Sequence, residues 1–287
     1  MKNNERFGGS VDMNTETEST DIVDIDTVND DIVKILWTGG YDSSFRVCQL
    51  SKLPVKIKPY YLAGTRLSLN NELNAIRSIT NALKAKPDTK CTFLDLEIVP
   101  KEDREMVEEV SAAYIDLRQE NAVGSQYEWL GWFAKKHPGI EMGVLKQGRV
   151  EKLASKYGAL KKISDPLIGD YYVVDKDKSS QSIIDLYGNY RFPLQDFNKI
   201  EMRDEYIRLN CQDIADLTWF CHKPIDNESC GRCGPCSYTI SEGLSQRFSP
   251  KAMRRYKMRR LRKKFMKWLR ATKFWGALRK VKWGLST

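Results

Sequence analysis

Ile32-Val33-Lys34-Ile35-Leu36-Trp37-Thr38-Gly39-Gly40-Tyr41-Asp42-Ser43-Ser44-Phe45 is an apolar run that meets two glycines and then a helix start. A strand this rich in Ile, Val, Leu and Trp belongs inside a parallel sheet. The glycines permit a tight turn, and the helix that follows offers its unpaired N–H groups to an anion. Thr38, Ser43 and Ser44 add hydroxyls at the same point. The plain alternative is a Gly-Gly turn capped by Asp42, which any strand-to-helix connection could use.

Working outward, strand and helix patterns alternate. Ser43 to Lys52 reads as a short helix with Cys48 on its inner face, and Val55 to Leu62 as a second strand. Leu69, Leu73, Ile76, Ile79 and Leu83 form a helical stripe that ends before Pro87. Lys90 to Val99 is the next strand, and residues 101 to 137 are helical in two pieces broken near Gly124. The second piece carries Tyr127, Trp129, Leu130, Trp132 and Phe133, an aromatic stripe read first as packing. Ile140 to Leu145 reads as a strand, Lys146 to Ser164 as a helix, Tyr171 to Val174 and Ser182 to Tyr187 as short strands. Asn198 to Asn210 reads as a helix with Ile200, Tyr206, Ile207 and Leu209 inward. This order implies βαβ units and an α/β fold with a mainly parallel, doubly wound sheet.

The 287 residues suit one large domain with appendages, and 41% apolar content suits a globular chain. Neither a transmembrane run nor an apolar signal region is visible, so the expected location is the cytoplasm. The net charge of +9 hides a division: residues 250–287 hold 15 Lys and Arg and no Asp or Glu, leaving 32 basic against 38 acidic residues elsewhere. Residues 1–30 are polar and acidic, without a period that buries a face, and read as a mobile arm. The expected organisation is this arm, a domain over 31–249, and a basic tail over 250–287.

Cys221, Cys230, Cys233 and Cys236 form a C-x8-C-x2-C-x2-C array among Gly231, Gly234 and Pro235. Four thiolates suit a closed, tetrahedral structural Zn2+ site; an iron–sulfur cluster also uses four cysteines. His222 stands beside the array as a competing ligand or a bystander, and the cluster fits a reducing compartment better than a disulfide framework does.

The loop Thr38-Gly39-Gly40-Tyr41-Asp42-Ser43-Ser44 resembles the Ser-Gly-Gly-x-Asp-Ser loop of the PP-loop ATP pyrophosphatases, and it lacks the Lys of the γ-phosphoryl-transfer loop. Together with the cysteine array it is similar to the 7-cyano-7-deazaguanine synthase family within that group. Pro193-Leu194, Lys199 with Glu201, and Leu217-Thr218-Trp219 extend the likeness, which spans residues 31 to 247. The resemblance implies an adenine-nucleotide α-hydrolase-like fold and a C–N bond-forming ligase that uses ATP and Mg2+. Such an enzyme activates a small-molecule carboxylate on a 7-deazapurine for ammonia, then activates the amide for dehydration to a nitrile. It places ATP against Trp37, Thr38, Gly39, Gly40, Asp42, Ser43, Ser44 and Leu62, with Asp42 and Ser43 catalytic, and substrate against Gly124, Ser125, Gln126, Lys199 and Glu201. The chain departs from the family where Gly124-Ser125-Gln126 stands in place of Gly-Arg-Asn, which removes a bidentate partner and opens the choice of acceptor. A PP-loop RNA modifier and a non-catalytic nucleotide-sensing module are the rival functions, and the oligomeric state is open.

In the tail, Leu261, Phe265, Trp268, Leu269, Trp275 and Leu278 recur at threes and fours among Lys and Arg. That pattern fits a membrane-surface helix, an RNA grip, or a segment that docks on the acidic arm or a protein partner. The first reading implies peripheral attachment to a membrane.

Overall fold

The computed structural model describes residues 31–146 and 148–271, so the acidic arm and the tail beyond residue 271, with Trp275, Gly276 and Leu278, lie outside the described residues. The decisive stretch is strand β1 (Ile32–Leu36) followed by helix α1 (Tyr41–Ser51). Next come β2 (Lys56–Leu62), α2 (Leu69–Lys84), β3 (Thr92–Phe93), β4 (Glu97–Val99), α3 (Glu108–Glu120) and α4 (Gln126–Lys136). The chain continues through β5 (Ile140–Glu141), α5 (Arg149–Tyr157), β6 (Leu160–Asp165), β7 (Gly169–Val174), α6 (Gln181–Tyr187) and β8 (Tyr190–Arg191). It ends with α7 (Lys199–Arg208), α8 (Gln212–Leu217), α9 (Gly234–Ser241) and α10 (Pro250–Ala271).

The main sheet runs β3-β2-β1-β5-β8, with β4 also paired to β2, and every pairing in it is parallel. Because β1 is central, Val33, Ile35 and Leu36 are buried, with Ile32 and Lys34 half-buried, as its mostly apolar run leads one to expect. One face packs Val33, Ile35, Ile57 and Tyr61 under α1, α2, α7 and α8. The other packs Leu36, Tyr60 and Ile140 under α3, α4, α5 and α6. The α2 stripe lies where the spacing puts it, with Ile76, Ile79 and Leu83 buried. Burying each such side chain is worth about 1.5–3 kcal/mol.

Several local readings differ. The Lys90–Val99 strand is two short strands on the same edge of β2. The span Lys146–Ser164 is helical only over Arg149–Tyr157 and then passes into β6 through Gly158, which packs so closely on Ser179 that an added Cβ would lie 2.1 Å from its Oγ. Residues 182–187 are helix rather than strand. Their buried set, Ile183, Leu186 and Tyr187, has three-and-four spacing, and the helix packs on α3 and α4. In α7 the inward residues are Met202 and Tyr206, while Ile200 and Ile207 are exposed. β6 and β7 form an antiparallel hairpin, joined to the main sheet through Tyr172 and Phe192. No helix among the described residues is long and apolar enough to cross a membrane.

Candidate functional site

From β1 the chain goes first to β2 on one side and later returns to β5 on the other. Loops leaving the two strands therefore part at the carboxyl end of the sheet, the place where open α/β sheets bind ligands. A cleft of about 420 Å3 opens there. Trp37, Thr38, Gly40, Asp42 and Ser43 line it from the first loop, and Met142, Gly143 and Val144 line it from the chain after β5. Residues expected to continue β5 as a strand are thus cleft wall.

Gly39 sets the shape of the loop. Its φ of +67° is left-handed, and a Cβ there would come within 2.9 Å of both Ala75 Cβ and the Glu72 carbonyl oxygen of α2. Only glycine satisfies both demands. Gly40 is the extended residue before α1, and Ser44 N–H donates to its carbonyl at 3.0 Å as the first helical bond. The preceding N–H groups of α1 have no partner within the helix, and their residues Tyr41, Asp42 and Ser43 line the cleft.

Asp42 lies in the first turn of α1 and does not cap it. Its carboxylate pairs with the Lys199 ammonium, which also stands 4.9 Å from the Tyr41 ring centre. Burial, then the Asp42 charge, pushes the Tyr41 phenol up to about 12, so that group remains protonated at neutral pH. Glu201 instead closes a capping box, accepting the Asn198 N–H at 2.7 Å while Asn198 Oδ1 accepts from Ile200 and Glu201 N–H. Ser43 lines the cleft, whereas Ser44 is buried and its hydroxyl accepts a 3.0 Å bond from Trp37 Nε1–H.

Leu62 and Gln126 line the cleft; Gly124 and Ser125 are not among its lining residues. Tyr60, Arg66, Tyr127, Trp129, Leu130 and His222 line it as well, and the sequence did not single them out for this place. Arg66 donates to Gln126 Oε1 at 3.2 Å and lies 3.9 Å from Glu72. The aromatic stripe of α4 therefore has two uses. Phe133 stacks on His137 at 4.1 Å and packs edge-on against Tyr60, while Tyr127 and Trp129 border the cleft.

The four array cysteines meet, with all Sγ atoms within 4.8 Å of one another. Tetrahedral Zn–S bonds of 2.3 Å require Sγ separations of about 3.8 Å. Cys230–Cys236 at 3.8 Å and Cys221–Cys233 at 3.9 Å fit this, and Cys233–Cys236 is tighter at 3.3 Å. Backbone N–H groups of Arg232 and Cys233 point at Cys230 Sγ, 3.2 and 3.3 Å away, and that of Cys230 at Cys221 Sγ, as thiolate ligands require. The cluster could hold a metal ion such as zinc.

This cluster is tied to the cleft. Trp219 N–H donates to the Gly39 carbonyl at 2.8 Å, and its indole N–H donates to the Cys221 carbonyl at 2.7 Å. His222, next to a cluster cysteine, lines the cleft and is not part of the four-sulfur group. Arg247 bonds the Thr218 carbonyl and stacks over Phe220, holding the segment from its far side. Neither protein-family models nor curated protein sequences give a match to this chain, so what loop, cleft and cysteines do follows from their own chemistry.

Proposed function

We propose that the chain is a PP-loop, 7-cyano-7-deazaguanine synthase-like ligase, which splits ATP to AMP and pyrophosphate while activating a carboxylate for attack by ammonia or another nitrogen nucleophile. The observation that carries this reading is the Thr38–Ser43 loop at the strand crossover, where hydroxyls and unpaired N–H groups border a cleft large enough for a nucleotide. A carboxylate oxygen is a poor leaving group. Its attack on the α-phosphorus expels pyrophosphate, and ammonia then displaces AMP to leave the amide. In a second round the amide oxygen leaves with AMP and a nitrile remains.

Pyrophosphate departure builds negative charge, which fixed donors stabilise most effectively when they need not reorganise. Thr38, Ser43 and the first N–H groups of α1 are such donors, and Gly39 locks their loop against α2. Mg2+ would neutralise phosphate charge when bound, and Asp42 is the loop carboxylate suited to hold it. Lys199 balances Asp42 and adds a cation beside the phosphate end. Arg66, held by Gln126, brings a guanidinium from another element to the place where Gly124-Ser125-Gln126 carries no Arg. With Tyr127 and Trp129 beside it, that end suits a flat acceptor bearing a carboxylate. Zinc in the cysteine cluster would be structural, since four sulfurs leave no open position.

The test is product identification with ATP, 7-carboxy-7-deazaguanine and ammonium, next to an Asp42→Ala control. AMP and pyrophosphate with a new amide or nitrile, lost in the control, is the expected outcome. ADP and phosphate would overturn the reading. ATP binding without turnover on this or any other carboxylate would replace it with a nucleotide sensor.

A further inference from the structure

We infer that the outer part of α10 docks the protein on membrane surfaces that carry anionic lipid, an attachment independent of the ATP reading. The first turns of this helix are fixed to the cysteine cluster. Ala252 is buried, and Arg255 donates to the carbonyls of Cys230 at 3.0 Å and Ser229 at 3.3 Å. Beyond that anchor, Met258, Leu261, Phe265 and Trp268 are 56–63% exposed. Their spacing of three, four and three puts them in a sector about 80° wide. Phe265 and Trp268 stack at 5.9 Å.

Single exposed apolar side chains need no explanation, but a stripe of four large ones marks a surface that something covers. Charge identifies what. The helix has eleven Lys and Arg and no Asp or Glu. Lys257 and Lys264 flank the stripe on one side and Arg262 on the other. A bilayer takes the apolar sector into its headgroup boundary while these long side chains reach up to anionic headgroups. Phosphates of RNA would satisfy the cations and leave Phe265 and Trp268 in water. A protein groove lined with acid would have to offer negative charge around nearly the whole helix. An anionic lipid surface meets both needs at once.

Flotation of the full chain decides this, with vesicles of phosphatidylcholine alone or mixed with phosphatidylglycerol. The expected result is binding to the mixed vesicles only, weakened by salt, and reduced about tenfold or more in the F265S/W268S variant. Both positions are exposed, so that variant should keep the melting temperature of the parent. Binding unchanged by the double substitution would overturn the inference. So would a parent chain that floats with neither vesicle, as expected if residues 1–30 or another protein covers the stripe. Single-stranded RNA bound equally by parent and variant, with no flotation, would reassign the helix to nucleic acid.

Discussion

Taking a guanidinium and a carboxylate out of water costs several kcal/mol each, and the fold does so with Arg46 of α1 and Glu141 of β5. Two hydrogen bonds of 2.8 and 2.7 Å join them, and Arg46 also donates to the Ile168 carbonyl at 3.1 Å. Arg46→Leu should therefore destabilise the protein by about 3–5 kcal/mol by leaving a bare buried carboxylate. Urea denaturation should show R46L/E141L recovering most of that loss; a double variant as weak as the single would mean the pair is itself stabilising. No sequence signal announces this pair, because its members are 95 positions apart and meet only when β5 lies beside β1. The loop and the four cysteines were legible because turn chemistry and ligand chemistry are local. Ser44 shows the limit of such reading: its hydroxyl suggests a donor at the loop, yet it serves the buried indole of Trp37.

At the scale of elements, α7 has a cap whose consequences reach the cleft. Asn198→Ala removes the side chain that accepts two N–H groups and should cost about 1 kcal/mol, while Glu201→Gln can keep the reciprocal bond and should cost less. Since Lys199 follows the cap directly and pairs with Asp42, the proposed function further implies that fraying raises the KM for ATP in the Asn198 variant. Unchanged KM beside the expected thermal shift would confine the box to folding. β1 and β2 at the middle of the sheet were readable from their apolar runs, as were α2 and the break near Gly124, whereas the two-residue β8 was not read as a strand. The stretch from residue 146 to 190 was read only in part, at the helix of Arg149–Tyr157 and the strand that ends at Val174. There Ile183, Ile184, Leu186 and Tyr187 suit a strand by side-chain type, and only packing against α3 and α4 decides for a helix. β5 was overread for the same kind of reason, since Met142 and Val144 are apolar to suit a cleft rather than a sheet.

Across the whole molecule, the cysteine cluster joins three parts: the loop through Trp219, the cleft through His222, and α10 through Arg255. If the cluster holds a structural ion, a chelator or Cys236→Ser should lower the melting temperature by on the order of 10 °C and, on the proposed function, reduce ATP turnover as well. Metal analysis that shows full loss with no thermal change would count against a structural ion. The contact between Trp219 and Gly39 has a bearing on how the protein is born. Synthesis proceeds at about 5–20 residues per second, so roughly ten to forty seconds separate the two partners as the chain is made. The glycine turn emerges early and α2 follows it soon after, but the carbonyl of Gly39 waits for the much later segment that bears Trp219. A newborn chain thus lacks this link between the glycine turn and the cysteine segment until residue 219 and the cysteines after it have been made.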